Sequence, residues 1–144
     1  MPFSDIEILA RTIKCEAGNE GDIAMKAFAS VIINRINVDC GEFRKCNTIR
    51  DVVFMKGQFD CSTEILDGQY NPHNIYNMRP EQIHYDIAEW AIAGNKLFNL
   101  GSALWCFSPR SPSYQKFLSS NVGKLACIIN EHYYYNPTIL FAET

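Results

Sequence analysis

The sequence lacks both a basic excess and a long apolar run. Its 13 lysine and arginine residues face 16 aspartate and glutamate residues, which gives a formal net charge of -3. Nucleic-acid-binding domains usually carry a basic surface, and a membrane-spanning helix needs about 20 mostly apolar residues. The first residues also lack the basic and apolar regions of a signal peptide. We therefore expect no nucleic-acid partner and no membrane span. The protein is expected either to be made and used on the cytosolic side or to be a mature form whose leader is missing.

The motifs of several common enzyme classes are also missing. There is no glycine-rich nucleotide-binding loop and no GxSxG nucleophile elbow. The 6 cysteines include no CxxC pair, so a structural zinc site has little support. The 3 histidines have no HExxH spacing, so an enzyme that uses zinc to cleave an amide bond has little support either. We therefore expect no metal and no other cofactor, with a calcium requirement left open. A nucleophilic pair of Cys106 with His132 also stays open.

The scattered cysteines are typical of small buried hydrophobic residues in a protein that is not secreted. A disulfide between Cys40 and Cys46, or between Cys46 and Cys61, is the alternative. The 144 residues, 47% hydrophobic and 20% charged, have the size and composition of one globular domain. No repeat or linker divides the chain, so residues 1–144 are predicted to form a single domain.

The best-placed acid is Glu16, at the end of the first predicted helix. Ser4 is a plausible N-cap with Glu7 completing a capping box, and Gly18-Asn19 is a plausible stop. Burial and the negative end of the helix dipole would both raise the pKa of Glu16, as a general acid requires. On pattern alone, a glutamate that simply reaches water is the favoured explanation. The apolar stripe that leads into Glu16 consists of Ile6, Leu9, Ala10, Ile13 and Ala17.

The rest of the chain predicts a mainly α, α+β fold with a small antiparallel sheet in its C-terminal third. Helical periodicity continues over residues 22–36, 49–54 and about 81–93. A capping box of Thr48 and Asp51 precedes the helix predicted at residues 49–54. The third of these helices is predicted to face inward through Ile83, Ile87, Ala88, Trp90 and Ala91. Residues 62–79 read as a long loop of the kind that often binds ligands. Residues 103–107, 125–129 and 132–135 are rich in strand-forming and aromatic residues.

Aromatic residues make up 12% of the chain and cluster at 105–107 and 133–135. Aromatic faces beside amide side chains commonly bind sugar rings. Plain core packing is the alternative, and it is favoured for Phe107. The amide of Asn34 either points back towards the turn after Glu16 or caps its own helix.

Four blocks of the sequence together resemble the SleB/CwlJ cell-wall hydrolase family. Residues 9–36 match its opening signature, a helix ending in Glu-Ala-x-x-Glu-Gly and then a helix of small residues ending in Asn-Arg. The later blocks are residues 48–59, 103–109 and 131–135, in the family's order. The compact size and the segment 40–44 make the CwlJ-like branch the closer likeness.

The resemblance implies a lysozyme-like, lytic-transglycosylase-like fold that degrades peptidoglycan, typically the spore cortex during germination. It places the catalytic glutamate on Glu16. Gly18-Asn19 stands where the family often has Arg-Gly, and Ser108 where it often has Asn. The residues expected to bind substrate or support the acid are Glu20, Asn34, Gln58, Phe59, Trp105, Ser108 and His132.

The implied reaction cleaves the β-1,4 bond between N-acetylmuramic acid and N-acetylglucosamine. Glu16 alone suffices for a lytic transglycosylase, which leaves 1,6-anhydro-muramic ends. Hydrolysis through Glu16 and Glu20 is one alternative, and a non-catalytic protein that binds spore coat or cortex is another. Expected partners are glycan strands and spore-coat proteins, with synthesis in the mother cell and deposition at the coat or cortex.

Overall fold

Four helices and a three-stranded sheet form the two sides of the structure, a computed structural model that describes residues 3–144. The predicted mainly α, α+β class, with its sheet in the C-terminal third, is confirmed. The helices are α1 Asp5–Ala17, α2 Asp22–Ile36, α3 Ile49–Val53, α4 Gln82–Ile92, α5 Tyr114–Ser120 and α6 Ile139–Ala142, with 3-10 turns at Gly41–Phe43 and Asp60–Ser62. The strands are β1 Ile65–Leu66, β2 Gln69–Tyr70, β3 Trp105–Phe107, β4 Gly123–Ile129 and β5 His132–Pro137.

Helix α1 begins and ends where its sequence predicts. The Ser4 hydroxyl accepts a hydrogen bond from the Glu7 N–H at 3.3 Å, as an N-cap does. The predicted capping box is only half formed, because the Glu7 carboxylate instead pairs with Arg11 at 2.8 Å. The helix ends at Ala17, and Gly18 is its C-cap. Glu16 therefore lies in the last turn.

The four helices α1 to α4 share one apolar core. Burying these side chains stabilises the fold by roughly 1.5–3 kcal/mol for each large residue. Helix α2 contacts α1, α3 and α4, as expected for a central helix rich in alanine. The core residues include Ile8, Leu9, Ile13, Ala29, Ile32, Val52, Val53, Ile87 and Ala88.

The inward face of α4 differs from the prediction. Ile83 is 38% exposed, and Trp90 is only half-buried with the Lys26 ammonium 5.2 Å from its ring centroid. His84 faces the core instead, and its Nδ1 accepts a hydrogen bond from the Glu81 N–H at 2.9 Å. Burial is the main cause that lowers the pKa of His84. A neutral imidazole paired with the backbone can therefore replace an apolar residue.

The sheet has the order β3-β5-β4, with both pairs antiparallel. Trp105 pairs with Tyr135 and Cys106 with Tyr134, so both predicted aromatic clusters lie in this sheet. The β4–β5 turn uses positive φ angles at Asn130 and Glu131. Helices α5 and α6 were not predicted, because 7 and 4 residues are too few for helical periodicity to show.

The segment 62–79 is ordered by hydrogen bonds rather than open. It contains the β1–β2 hairpin, and the Asn71 amide donates to the Asp60 and Thr63 carbonyls at 3.2 and 3.1 Å. The Arg11 guanidinium donates to the Ile75 carbonyl at 2.9 Å. These bonds attach the loop to α1.

The six cysteines are free thiols, so neither disulfide alternative is formed. Cys15, Cys46 and Cys61 are buried, in line with the prediction for small hydrophobic residues. Within residues 3–144, no helix has both the length and the apolar character that a bilayer crossing requires.

Candidate active site

A cleft of about 1210 Å³ separates the helices from the sheet. This volume exceeds the roughly 300–1,000 Å³ of a typical small-molecule site, so it can hold several sugar units. The cleft brings together residues from positions 16 to 144. Seven of the eight predicted site residues line it: Glu16, Glu20, Gln58, Phe59, Trp105, Ser108 and His132.

Glu16 presents its carboxyl group to the cleft. The group is open to solvent on that side, while protein atoms crowd its other sides. Desolvation is the main cause that raises its pKa, and the charge of Asp60 adds to it. The charge of His73 and hydrogen bonds from the Cys61 thiol and N–H act in the opposite direction. The predicted direction is therefore confirmed, with Asp60 as a contributor that the helix pattern could not indicate.

A buried cluster that contains two thiols packs beside Glu16. Cys15, Cys61 and Ile75 pack together, and the His73 Nε2 lies 2.8 Å from the Cys15 carbonyl oxygen. His73 and Cys61 influence Glu16 directly, and neither was among the predicted site residues. They are 57 and 45 positions from Glu16, and no local spacing links them to it.

Glu20 and His132 contact each other at the same cleft. The His132 Nδ1 lies 3.1 Å from the Glu20 Oε1. The Asn130 amide donates to the Glu20 carbonyl at 2.7 Å. The β4–β5 turn is thereby attached to the turn between α1 and α2. The sequence named both members of the pair but not their contact.

Gln58 and Phe59 also line the cleft, as the resemblance implied. The Gln58 Oε1 accepts a hydrogen bond from the Arg35 Nη1 at 3.1 Å. The Phe59 ring packs edge-on against Phe28 at 5.5 Å. Arg35 also lines the cleft, although the sequence singled it out only as part of the Asn-Arg motif.

Trp105 is mostly a core residue. It is 5% exposed, its Nε1 donates to the Glu42 Oε1 at 3.0 Å, and its ring packs edge-on against Phe141 at 4.9 Å. Only part of its ring can contact a sugar. Phe107 and Phe117 are half-buried and line the cleft with ring centroids 4.6 Å apart. They offer the aromatic surface that was expected at Trp105. Phe107 packs against the aromatic core, as predicted, and also lines the cleft.

Ser108 lines the cleft at the end of β3. Its hydroxyl accepts a long hydrogen bond of 3.4 Å from the Arg110 N–H, which closes the turn after the strand. The hydroxyl keeps its own proton for another acceptor, since Ser offers one donor and two acceptor positions.

Asn34 is not among the residues that line the cleft, and its role in binding substrate or supporting the acid stays a prediction. It is 4% exposed, and its Nδ2 donates to the Ala103 carbonyl at 2.9 Å. The Lys96 ammonium donates to its Oδ1 at 2.9 Å. These bonds match neither of the two predictions for the Asn34 amide, that it caps its own helix or that it points towards the turn after Glu16. Asn34 connects α2 to the segment that enters β3.

Comparison with known proteins identifies the family. The model for "Cell Wall Hydrolase" matches residues 19–135. The chain belongs to this cell wall hydrolase family. It is therefore an enzyme that acts on peptidoglycan, and the family indicated by the four sequence blocks is confirmed. The matched region begins three residues after Glu16.

Two cell wall hydrolases are similar to this chain over most of its length. Cell wall hydrolase CwlJ of Halalkalibacterium halodurans is 27% identical over 93% of this chain and 86% of its own length. Cell wall hydrolase CwlJ of Bacillus subtilis is 25% identical over 98% of this chain and 89% of its own.

Two solved structures share the fold. The catalytic domain of the germination-specific lytic transglycosylase SleB from Bacillus anthracis has a TM-score of 0.70 at 22% identity, covering 94% of this chain and 98% of that domain. The catalytic domain of Bacillus cereus SleB has a TM-score of 0.69 at 22% identity, covering 92% and 89%. The predicted lysozyme-like, lytic-transglycosylase-like fold class is confirmed.

Replacing Asn34 with alanine should destabilise the protein without removing a cleft group. The change leaves the Lys96 ammonium and the Ala103 carbonyl without their partner, so we expect a loss of about 1–3 kcal/mol in unfolding free energy. Urea denaturation followed by circular dichroism measures it. Asn37→Ala is the matched control, because that exposed amide makes a single bond to the Ile33 carbonyl. Equal losses in the two variants would contradict this role for Asn34.

Proposed function

We propose that the protein cleaves the β-1,4 bond between N-acetylmuramic acid and N-acetylglucosamine in spore-cortex peptidoglycan, as a lytic transglycosylase. The observation that carries this proposal is Glu16, a carboxyl group with a raised pKa that faces a cleft large enough for a glycan strand. A carboxylic acid protonated near neutral pH is what the leaving oxygen needs. The name cell wall hydrolase supports action on the cell wall, and the name germination-specific lytic transglycosylase supports the transglycosylase outcome.

The proposed reaction uses Glu16 twice. Glu16 first donates its proton to the glycosidic oxygen, and the bond from that oxygen to C1 of muramic acid breaks. Positive charge develops on the sugar ring as in other glycoside cleavages. The muramic 6-hydroxyl then attacks C1, and its proton passes to the Glu16 carboxylate. The acid is regenerated, no water is consumed, and the new end is a 1,6-anhydro sugar. No metal or cofactor takes part in this proposal.

Hydrolysis is the second candidate, because Glu20 lines the same cleft. A hydrolase needs a second carboxylate, either to activate water or to form a covalent intermediate. Glu20 is engaged with the His132 imidazole and held by Asn130 through its carbonyl. We therefore propose that Glu20 supports the turn that carries Glu16 and contacts substrate without acting as nucleophile.

We further propose that the protein acts at the spore coat or cortex, with coat proteins as partners. The name of the similar SleB domain, a germination-specific lytic transglycosylase, supports action in the spore, and coat proteins as partners are what the family resemblance implies.

The product identifies the reaction. Mass spectrometry of cortex digested by the purified protein should show muropeptides that end in 1,6-anhydro-muramic acid. Reducing muramic ends in their place would instead support hydrolysis with Glu16 and Glu20. A protein that only binds cortex would release no fragments.

Glu16→Gln should reduce the release of soluble fragments at least about a hundredfold, because the amide cannot protonate the leaving oxygen. Loss of turbidity of decoated cortex, with unchanged circular dichroism, measures this. Glu89→Gln is the matched control, since Glu89 is an exposed glutamate on α4 outside the cleft, and it should keep wild-type activity. Activity of the Glu16→Gln protein near the wild-type rate would remove Glu16 from the mechanism.

The pH dependence should follow the groups around Glu16. The acid must be protonated in the free enzyme, so kcat/KM falls as pH rises through the raised pKa of Glu16. Asp60→Asn removes a neighbouring negative charge, lowers that pKa and should move the fall to lower pH. Cys61→Ala removes the thiol donor, raises the pKa and should move the fall to higher pH.

Asp67→Asn serves as the control for these profiles. Asp67 lies in the β1–β2 turn outside the cleft, so its loss should leave the pH profile unchanged. A shift of the same sign in Asp60→Asn and Cys61→Ala would show that Glu16 does not control this limb.

A further inference from the structure

The side-chain amide of Gln58 has a defined orientation in the cleft. Gln58 is half-buried and lines the cleft, and its Oε1 accepts a hydrogen bond from the Arg35 Nη1 at 3.1 Å. An arginine side chain can only donate hydrogen bonds, so the atom that faces Arg35 must be the amide oxygen. The Nε2 amino group of Gln58 therefore points away from Arg35.

This amino group is available to a ligand. It has no hydrogen-bond partner among residues 3–144, and it is not a fully buried atom. Because Gln58 lines the cleft, a molecule bound there can reach the amino group. An amide amino group donates two hydrogen bonds and accepts none. It therefore selects an acceptor, such as a carbonyl oxygen.

Arg35 holds the Gln58 amide from a rigid position. Arg35 is 6% exposed, and its Nε donates to the Leu104 carbonyl at 2.8 Å. Its Cζ lies 4.5 Å from the centroid of the Phe43 ring and 5.5 Å from that of Phe59. A guanidinium that stacks on rings and donates a second hydrogen bond has few orientations. The direction of the Gln58 amino group is thus set before a ligand binds, which lowers the entropic cost of binding.

Asp60 offers an acceptor two residues further along the chain. It is exposed and lines the same cleft, and its carboxylate forms no hydrogen bond or ion pair within residues 3–144. The residue between Gln58 and Asp60, Phe59, is extended, with φ -131° and ψ 122°. An extended residue keeps the Cα atoms on either side of it roughly 6.6 Å apart, the rise of two strand residues. The cleft therefore has a donor and an acceptor that are separate but close.

The segment that carries this donor and acceptor runs past the catalytic acid. Cys61, the next residue, donates hydrogen bonds to the Glu16 carboxyl group from its thiol and its N–H, and the charge of Asp60 acts on the same group. The Phe28 and Phe59 rings line the same cleft with centroids 5.5 Å apart, and they add apolar surface. A ligand group that binds here lies beside Glu16.

We propose that Gln58 and Asp60 bind the 2-acetamido group of a sugar next to Glu16. The inference rests on the proposed function. The Gln58 Nε2 donates to the acetamido carbonyl, and the Asp60 carboxylate accepts from the acetamido N–H. The carbonyl and the N–H of this group point in opposite directions, so they need two separate partners. Arg35 is a positioning residue, which keeps the Gln58 amino group turned towards the sugar.

The test compares glycan strands that differ only in their acetamido groups. One set is deacetylated at glucosamine and another at muramic acid, each by a deacetylase specific for that sugar, and untreated strands are the control. The wild-type protein should lose about tenfold or more in kcat/KM on one of the two sets, mainly through KM, because hydrogen bonds to the acetamido group are lost. The set that responds identifies the sugar that binds at Gln58 and Asp60.

Gln58→Glu should remove this preference for acetylated strands. The new carboxylate keeps an acceptor for the Arg35 guanidinium but offers no amino group to the sugar. Its kcat/KM on untreated strands should fall about tenfold, close to its value on deacetylated strands. Gln69→Glu is the matched control, because Gln69 is an exposed glutamine in β2 outside the cleft, and it should keep the wild-type preference.

Arg35→Lys tests the positioning role. A lysine ammonium does not reproduce the planar fork that bonds both the Leu104 carbonyl and the Gln58 oxygen, so the Gln58 amide can turn. The preference for acetylated strands should shrink and KM should rise, with kcat on untreated strands kept within about twofold. A merely structural role would lower the amount of folded protein and leave the preference unchanged.

A measurement on the wild-type protein replaces the variants if they do not fold. The NMR signals of the Gln58 side-chain amino group should shift when N-acetylglucosamine or N-acetylmuramic acid is added. Glucosamine, which lacks the carbonyl acceptor, should leave these signals in place.

The outcomes separate the two proposals. Equal wild-type rates on all three sets of strands, or full preference in a folded Gln58→Glu protein, would overturn the acetamido site and leave the proposed function standing. An equal response of the Gln58 signals to acetylated sugars and to glucosamine would also overturn it. Full preference in a folded Arg35→Lys protein would remove Arg35 as the positioning residue. No cleavage of untreated strands by the wild-type protein would instead contradict the proposed function.

Discussion

The site depends on one constraint: contacts on two sides hold the end of α1 and the turn that follows it. On one side, the loop around His73 contacts the Cys15 carbonyl. On the other, Asn130 in the β4–β5 turn binds the Glu20 carbonyl. Each contact joins segments far apart in the chain, so the position of Glu16 is set by the whole fold. A helix end that was free to fray could not hold an acid within the narrow tolerance that proton transfer requires.

Glu16 and Arg35 use the same cleft in different ways. Burial raises the pKa of Glu16 and lowers that of Arg35, because desolvation disfavours the charged form of each. Glu16 becomes a better proton donor, whereas Arg35 is charged without a counter-ion. A bound glycan would displace water from both, which strengthens every remaining electrostatic interaction. Desolvation therefore makes Glu16 a better proton donor, whereas it makes the unpaired charge of Arg35 more costly.

Local patterns predicted helices α1 to α4 and the sheet, since caps and apolar periodicity depend on neighbours in sequence, whereas the catalytic role of Glu16 came from the family resemblance. They failed where long-range contacts decide. Asn34 bonds to Ala103, 69 residues away, and Cys61 reaches Glu16 only because the loop folds against α1. Trp105 matched a sugar-binding residue by type, but its ring completes the aromatic core. The sequence indicated Arg35 as part of a motif. That no carboxylate among residues 3–144 pairs with it follows only from the folded structure.

The turn between Glu16 and Glu20 favours chemistry with a single acid. Because α1 ends at Ala17, the two carboxylates do not share a helix face and are supported differently. Glu16 stands on the buried cluster of Cys15 and Cys61, whereas Glu20 is held by the β4–β5 turn and by His132. A group already paired with an imidazole is a poor nucleophile towards a sugar. In the reaction that we propose, this division of roles leaves the muramic 6-hydroxyl as the nucleophile that the Glu16 carboxylate assists.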